Sequence, residues 1–272
     1  MNMAVVPAKN EQGRIGKVLN LLSETAVDRI VVVLNGSRDG TLKEIRTQKL
    51  SKVDVLRFRE PLGYDIPRAV GVFYALKQGA ECVIFVDGDM TGNLLPAVNR
   101  LVDAVVSEKV DLAMTECQSD MISDNKLARE LYLFRKLFNE HLGIYQRVGV
   151  AIPSHGPCAV SRRLMISADI RDFAVPPVIL AFAVKHHLCV EAPVAMHSRE
   201  LGSKMRGFSH AKKIAETIIG DIIEALAFFE GKPRKRIFLQ KEYQGYNPRR
   251  RFDLLERFIA LYGRNPDRSP ST

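Results

Sequence analysis

The sequence predicts an α/β protein built on a mostly parallel sheet with helices on both faces. Two observations carry this. Apolar, strand-like runs alternate with amphipathic stretches through the first half of the 272 residues, the rhythm of a sheet joined by right-handed helical crossovers. The run Cys82-Val83-Ile84-Phe85-Val86 then ends abruptly at Asp87-Gly88-Asp89. A buried strand that stops at two carboxylates delivers them to the carboxyl edge of the sheet, where open α/β sheets bind ligands.

The elements follow in order. Strands are expected at Ala4–Pro7, Ile30–Leu34, Val53–Phe58, Cys82–Val86 and Val110–Met114. Between them, Gln12–Ser23, Leu42–Lys49, Arg68–Gln78 and Leu94–Ser107 carry apolar residues at helical spacing. From Glu116 the alternation breaks. Leu127–Phe138 reads as a helix, Val148–Pro153 as a strand, and Arg162–Ala168 and Val178–His187 as helices. Leu188–Met196 reads as a late strand and Phe208–Glu230 as a long helix with an apolar face. The breaker and basic run Gly231–Arg236 precedes a last amphipathic helix, Phe252–Tyr262, and a polar tail at Asn265–Thr272.

Composition narrows the class. A chain of this length buries one substantial core. It has no apolar stretch near the roughly 18 residues of a spanning helix, and its start lacks the zones of a signal peptide, so a cytoplasmic location is expected. Cys82, Cys117, Cys158 and Cys189 lie far apart, a pattern that fits neither a disulfide framework nor a zinc site. Of the net charge of +9, residues 201–272 carry +7, from 15 Lys/Arg against 8 Asp/Glu. Such an excess favours phosphate-bearing ligands, acidic acceptors or an anionic membrane surface. Nucleic acid is not expected, because the basic residues are not interleaved with aromatics and tryptophan is absent.

Gly88 lets the chain turn so that Asp87 and Asp89 face one point. Two hard oxygen donors there suit Mg²⁺ or Mn²⁺, ions that commonly hold a diphosphate as their other ligand. A solvated Asp-Gly turn is the plain alternative. Two further loops oppose it: Pro7-Ala8-Lys9-Asn10-Glu11 after the first strand, and Asn35-Gly36-Ser37-Arg38-Asp39-Gly40-Thr41 after the second. Three polar loops then share one sheet edge.

Val5–Leu19, Val31–Thr41, Phe85–Gly92 and His155–Met165 together resemble the family 2 glycosyltransferases of the GT-A fold. Glucosyl-3-phosphoglycerate and mannosyl-3-phosphoglycerate synthases are related to these. The resemblance spans about the first 200 residues. It implies a GT-A domain at 1–200, with a nucleotide-binding half at 1–115 and an acceptor half at 116–200, followed by a basic loop and helical extension at 201–272. It also implies a nucleoside-diphosphate sugar donor. Pro7, Ala8 and Glu11 would line the base and ribose pocket, with Asn35 and Ser37 beside the base. Asp87, Gly88 and Asp89 would hold ribose and metal, and Arg68 would approach the diphosphate. Gly156 and Arg162 would lie on the acceptor side, and His197 would complete the metal site with Asp89. Lys204 or Arg206 could add donors to the diphosphate, and the loop containing Gly202 could close over it.

Relatives carry an acid in the segment matching Phe173–Ile179. This chain has Pro176-Pro177 there, and Asp172 is the nearest acid and the candidate catalytic one. Whether the reaction inverts or retains stays open, as do the sugar, the acceptor and the oligomeric state, a homodimer included. A small phosphorylated acid suits His197 and the basic third. A polyprenyl phosphate at a membrane surface suits the amphipathic Arg249–Tyr262. A non-catalytic sugar-nucleotide-binding protein is the third reading, given the missing acid. A dinucleotide-dependent oxidoreductase would need Gly-x-Gly-x-x-Gly after the first strand, which is absent, and the Gly-rich opening of a nucleotidyltransferase is absent as well.

Overall fold

The computed structural model describes residues 1–118, 126–203 and 207–264, the last without its side chain. Lys204, Arg206 and the tail from Asn265 lie outside the described residues. Four strands, β1 (Asn2–Ala8), β2 (Arg29–Asn35), β3 (Val53–Phe58) and β4 (Cys82–Phe85), pair in parallel. With β5 (Leu112–Gln118), β6 (Cys158–Ser161) and β7 (Val190–His197) they make a seven-stranded sheet of order β3-β2-β1-β4-β6-β5-β7. Only β6 runs against its neighbours β4 and β5.

Strand residues alternate between two cores, as the twofold side-chain period requires. Met3, Val5, Val31, Val33, Val83 and Phe85 face one layer, with α3 (Ile66–Lys77) and α8 (Pro176–Lys185). Ala4, Val6, Ile30, Val32 and Ile84 face the other, with α1 (Ile15–Ser23), α2 (Thr41–Thr47) and α4 (Leu95–Val106). Burial on both faces explains why these strands are apolar throughout. Register then fixes the site. Val5 pairs with both Val31 and Phe85, so the loops after β1, β2 and β4 leave from one edge.

One expectation fails in the second half. Val148–Pro153 is not a strand: α6 (Tyr145–Val148) ends at Gly149, and the segment beyond it is irregular. Its backbone is satisfied by side chains instead. Asn139 of α5 (Lys126–His141) donates to the carbonyls of Gly149 and Ala151, and Arg135 to that of Val150. The Val150 N–H donates to Glu116. The strand in this region is β6, to which the sequence pattern assigned no element. It is followed by α7 (Arg162–Ser167), whose first turn Ser161 caps through the Leu164 N–H.

The basic C-terminal third packs onto the sheet domain. Helix α9 (Phe208–Phe229) lies against α5 and α8, and α10 (Phe252–Arg264) against α3. Leu255, Phe258 and Tyr262 of α10 are buried, and Phe258 meets Phe58 and Phe73 edge-on. Among the described residues no helix is long and apolar enough to cross a membrane.

Candidate active site

Three loops converge as their strand register demands. Gly88 donates its N–H to the Pro7 carbonyl at 3.0 Å. A Cβ at Gly88 would lie 3.1–3.3 Å from the Pro7 carbonyl, Ala8 and Glu11, so the acidic loop sits closely on the first loop. The first two loops are laced together in turn. Ser37 Oγ accepts from the Asn10 N–H, Asp39 from that of Gln12, and Thr41 Oγ1 from that of Glu11. Burial raises the Asp39 carboxyl, but hydrogen bonds from Thr41 and Gln12 outweigh it and hold the group below its ordinary value. Glu11 is buried and pairs with Arg14.

Asn35 spends its amide on the next loop, donating to the Gly63 carbonyl at 2.9 Å and accepting from the Leu62 N–H at 2.6 Å. It therefore shapes the Leu62–Asp65 turn. Arg68 is also turned inward, with a side chain 5% exposed. It donates to the Pro153 carbonyl at 2.9 Å, approaches Asp87 at 3.4 Å and Asp65 at 3.6 Å, and covers the Phe85 ring. Arg68, expected to approach the diphosphate, lies under Asp87 and inside the protein. Burial of the Asp65 carboxyl raises it to about 6, against the pull of Arg68 and Arg250.

His197 ends β7, two strands beyond β6, and its turn reaches the acidic loop. Gly92 donates to the Leu201 carbonyl, Thr91 Oγ1 to that of Gly202, and Ser203 Oγ to Asp89 at 3.3 Å. His197 Nδ1 accepts from the Arg199 N–H at 3.3 Å, and Glu200 returns the contact by accepting from the His197 N–H. A metal on this imidazole requires that the cap or the tautomer change.

Among the described residues no three His, Cys, Asp or Glu side chains close into a metal-holding group. Two carboxylates at a strand edge nevertheless fit Mg²⁺ or Mn²⁺, which are commonly held by one or two carboxylates while substrate phosphates supply the rest.

Gly156 (φ +81°) lies just before Cys158, the partner of Phe85, and so beside the acidic loop. Nearby, Arg135 Nη1 is 3.4 Å from His155 Nδ1. Arg162 and Asp172 do not join the site. Because β6 is antiparallel, it carries Arg162 to the opposite sheet edge, where it donates to the Ala80 carbonyl and approaches Glu81. Asp172 sits in the 3-10 turn Ile170–Ala174 and makes a two-point pair with Arg234 at 2.6 and 3.0 Å. It lines a separate cavity of about 340 Å³ with Glu224, Phe252 and Glu256.

Sequence reading missed the grouping of Lys9 with Arg38 and Arg249. Burial, then the guanidinium groups of Arg249 and Arg38, push the Lys9 ammonium below its ordinary value. Arg249 arrives from 240 residues further along the chain than Lys9, so no local pattern could have flagged it.

A twisted sheet with its acidic loop at the β4 edge and a reversed β6 beside it is the GT-A architecture. The glycosyl transferase family 2 profile matches residues 3–167, and the chain belongs to that family and is a glycosyltransferase. No curated protein matches the chain. Among solved structures, a mycobacterial protein is similar at TM-score 0.59 and 17% identity, covering 86% of this chain and 76% of that one. Glucosyl-3-phosphoglycerate synthase from Mycobacterium tuberculosis in complex with UDP is similar at TM-score 0.57 and 18% identity, over 86% and 81% of the chains. A further complex of that synthase, with Mn²⁺, UDP-glucose and phosphoglyceric acid, matches at TM-score 0.57 and 18% identity over 86% and 80%. At these identities the likeness is one of fold.

Proposed function

We propose that this glycosyltransferase binds a nucleoside-diphosphate sugar at the edge formed by the loops after β1, β2 and β4, and passes the sugar to a small phosphorylated acid. The observation that carries the donor reading is the seating of Gly88 on Pro7, Ala8 and Glu11, which unites the acidic loop with the expected base and ribose pocket. Asp89 and His197 would hold Mg²⁺ or Mn²⁺ together with the donor diphosphate, and the ion would neutralise charge on the departing nucleoside diphosphate. Asp87 is braced by Arg68 and keeps a 39% exposed side chain toward the groove. Lys9, on the loop after β1 on which Gly88 sits, shares its surroundings with Arg38 and Arg249 and concentrates positive charge there. In a site from which water is excluded, such fixed charges stabilise a leaving diphosphate more than they would in bulk solvent.

The acceptor class rests on two supports. The similar synthase has been solved with phosphoglyceric acid and with glycerol 3-phosphate. The apolar stripe of α10, which would favour a lipid-linked acceptor if it were open, is folded onto α3. The test is thermal shift with UDP and with GDP, with and without Mn²⁺, since a bound ligand stabilises the folded state. Mn²⁺-dependent stabilisation by at least one of them, lost in Asp89→Ala, is expected. No shift with either nucleotide, or an unchanged one in Asp89→Ala, would refute the donor assignment. Co-sedimentation with anionic liposomes at physiological salt would instead favour a lipid-linked acceptor.

A further inference from the structure

An unbroken string of alternating charges runs from the C-terminal extension to the acidic loop. Asp172 pairs with Arg234, which lies 3.9 Å from Glu224. Glu224 meets Arg236 at 3.1 Å, and Arg236 meets Asp221. Asp221 takes two bonds of 2.7 Å from Arg250. Arg250 reaches Asp65 at 3.2 Å, Asp65 meets Arg68 at 3.6 Å, and Arg68 meets Asp87 at 3.4 Å. The middle is sealed: the side chains of Arg250 and Asp221 are 0% and 1% exposed, whereas Asp87 at one end and Arg234, one link in from the other, are 39% and 36% exposed.

The backbone is shaped around this string. Asp65 holds a left-handed φ of +59°, a conformation that Asp and Asn adopt more readily than other residues with a Cβ. It places the carboxylate between Arg68 and Arg250. The strap bearing Arg250 lies directly on the turn before Asp65. Arg251 donates to the Leu62 carbonyl at 2.9 Å, Arg250 Nε to the Tyr64 carbonyl at 3.3 Å, and a Cβ on Gly63 would sit 1.8 Å from the Arg249 carbonyl oxygen. A buried ion network costs desolvation and often adds nothing to stability over apolar packing, whereas fixing one geometry is its best-supported use.

We infer that Arg250 is a positioning residue of the donor site, holding Asp65 so that Arg68 presents the Asp87 carboxylate to the donor. The C-terminal extension then acts on the donor site through Asp65 and Arg68. Without Arg250, Asp65 closes on Arg68 alone and draws its guanidinium away from Asp87. Without the Asp65 charge, Arg68 loses its anchor. Both changes weaken donor binding.

This inference rests on the donor reading above, and the experiment separates the two. Calorimetric titration of the full chain with UDP and with GDP, each with Mn²⁺, is run on wild type, Arg250→Lys, Asp65→Asn, Arg68→Lys and the Arg250→Lys/Arg68→Lys double variant. Arg250→Lys keeps the charge, and Asp65→Asn keeps the shape and leaves the Arg250–Asp221 pair in place, so one remains informative should the other fail to fold. Each single change should raise Kd by about tenfold, the usual loss for an outer partner of a ligand. The double variant should be no worse than about twofold beyond the worse single, because the residues act in series. Arg234→Gln, four links further out than Arg250, should lower Tm and leave Kd unchanged. Kd values within twofold of wild type alongside a lowered Tm, or losses that multiply in the double variant, would reduce Arg250 to a scaffold residue. Wild type that binds neither nucleotide would overturn the donor reading, and this inference with it.

Discussion

Arg68 Nη2 lies 3.4 Å from Asp87 Oδ1, and the same guanidinium donates to the Pro153 carbonyl at 2.9 Å. One buried side chain thereby ties the acidic loop after β4 to the irregular segment ahead of β6. The two segments are held in register by a group that stays inside the protein. The exposed chemistry of this site is small, and the buried work that orients it is large.

His197 combines a turn cap with an expected metal contact, and two substitutions separate these roles. Asparagine retains a cap acceptor, whereas alanine does not. Both should raise the Mn²⁺ concentration needed for half-maximal turnover by about tenfold or more. A shift in His197→Ala alone would assign the residue to the turn.

Asp172 faces Arg234 and a cavity apart from the acidic loop. Asp172→Asn should therefore leave turnover within about twofold and cost about 1 kcal/mol of stability, a modest loss because Arg234 is partly solvated. Urea unfolding and initial rates report the two quantities independently. A loss of turnover of a hundredfold or more at unchanged stability would restore Asp172 as a catalytic acid.

Gly63 has φ +91°, and a Cβ there would meet the Arg249 carbonyl oxygen. Gly63→Ala should destabilise the protein by about 2 kcal/mol or more, through a strained backbone and a displaced strap. The denaturation midpoint in urea measures this, and an unchanged midpoint would mean that the strap contact carries no energy.

Burial, with the Arg135 charge beside it, lowers the His155 imidazole to about 3 from its ordinary 6.5. Between those values the unfolded chain takes up a proton that the folded one refuses, so stability falls as pH drops from about 6.5 toward 3. The slope from this one residue is at most about 1.4 kcal/mol per pH unit. His155→Asn should flatten the wild-type slope across that window. Parallel stability–pH curves for the two proteins would show that the ring stays accessible to protons.

The sequence by itself determined the parallel half of the sheet and the acidic loop. In β1, β2 and β4 every residue is under local constraint, because strands buried on both faces must be apolar and must stop where polar loops begin. The order of Pro7–Glu11, Asn35–Thr41 and Asp87–Asp89 was legible for the same reason. Only the tertiary structure decided which way β6 runs, and with it that Gly156 lies beside the acidic loop and Arg162 at the far edge. Strand direction depends on pairing with β4, more than 70 residues earlier, and leaves no periodic trace in β6 itself. The same holds for Val148–Pro153, which has a strand's apolar composition but yields its backbone bonds to Arg135, Asn139 and Glu116. The basic C-terminal third announced itself by charge. That Arg250 would lie sealed against Asp221 and Asp65 was decided by packing alone, since a buried arginine and a solvated one look identical in sequence and differ only in the carboxylates that the fold brings to them.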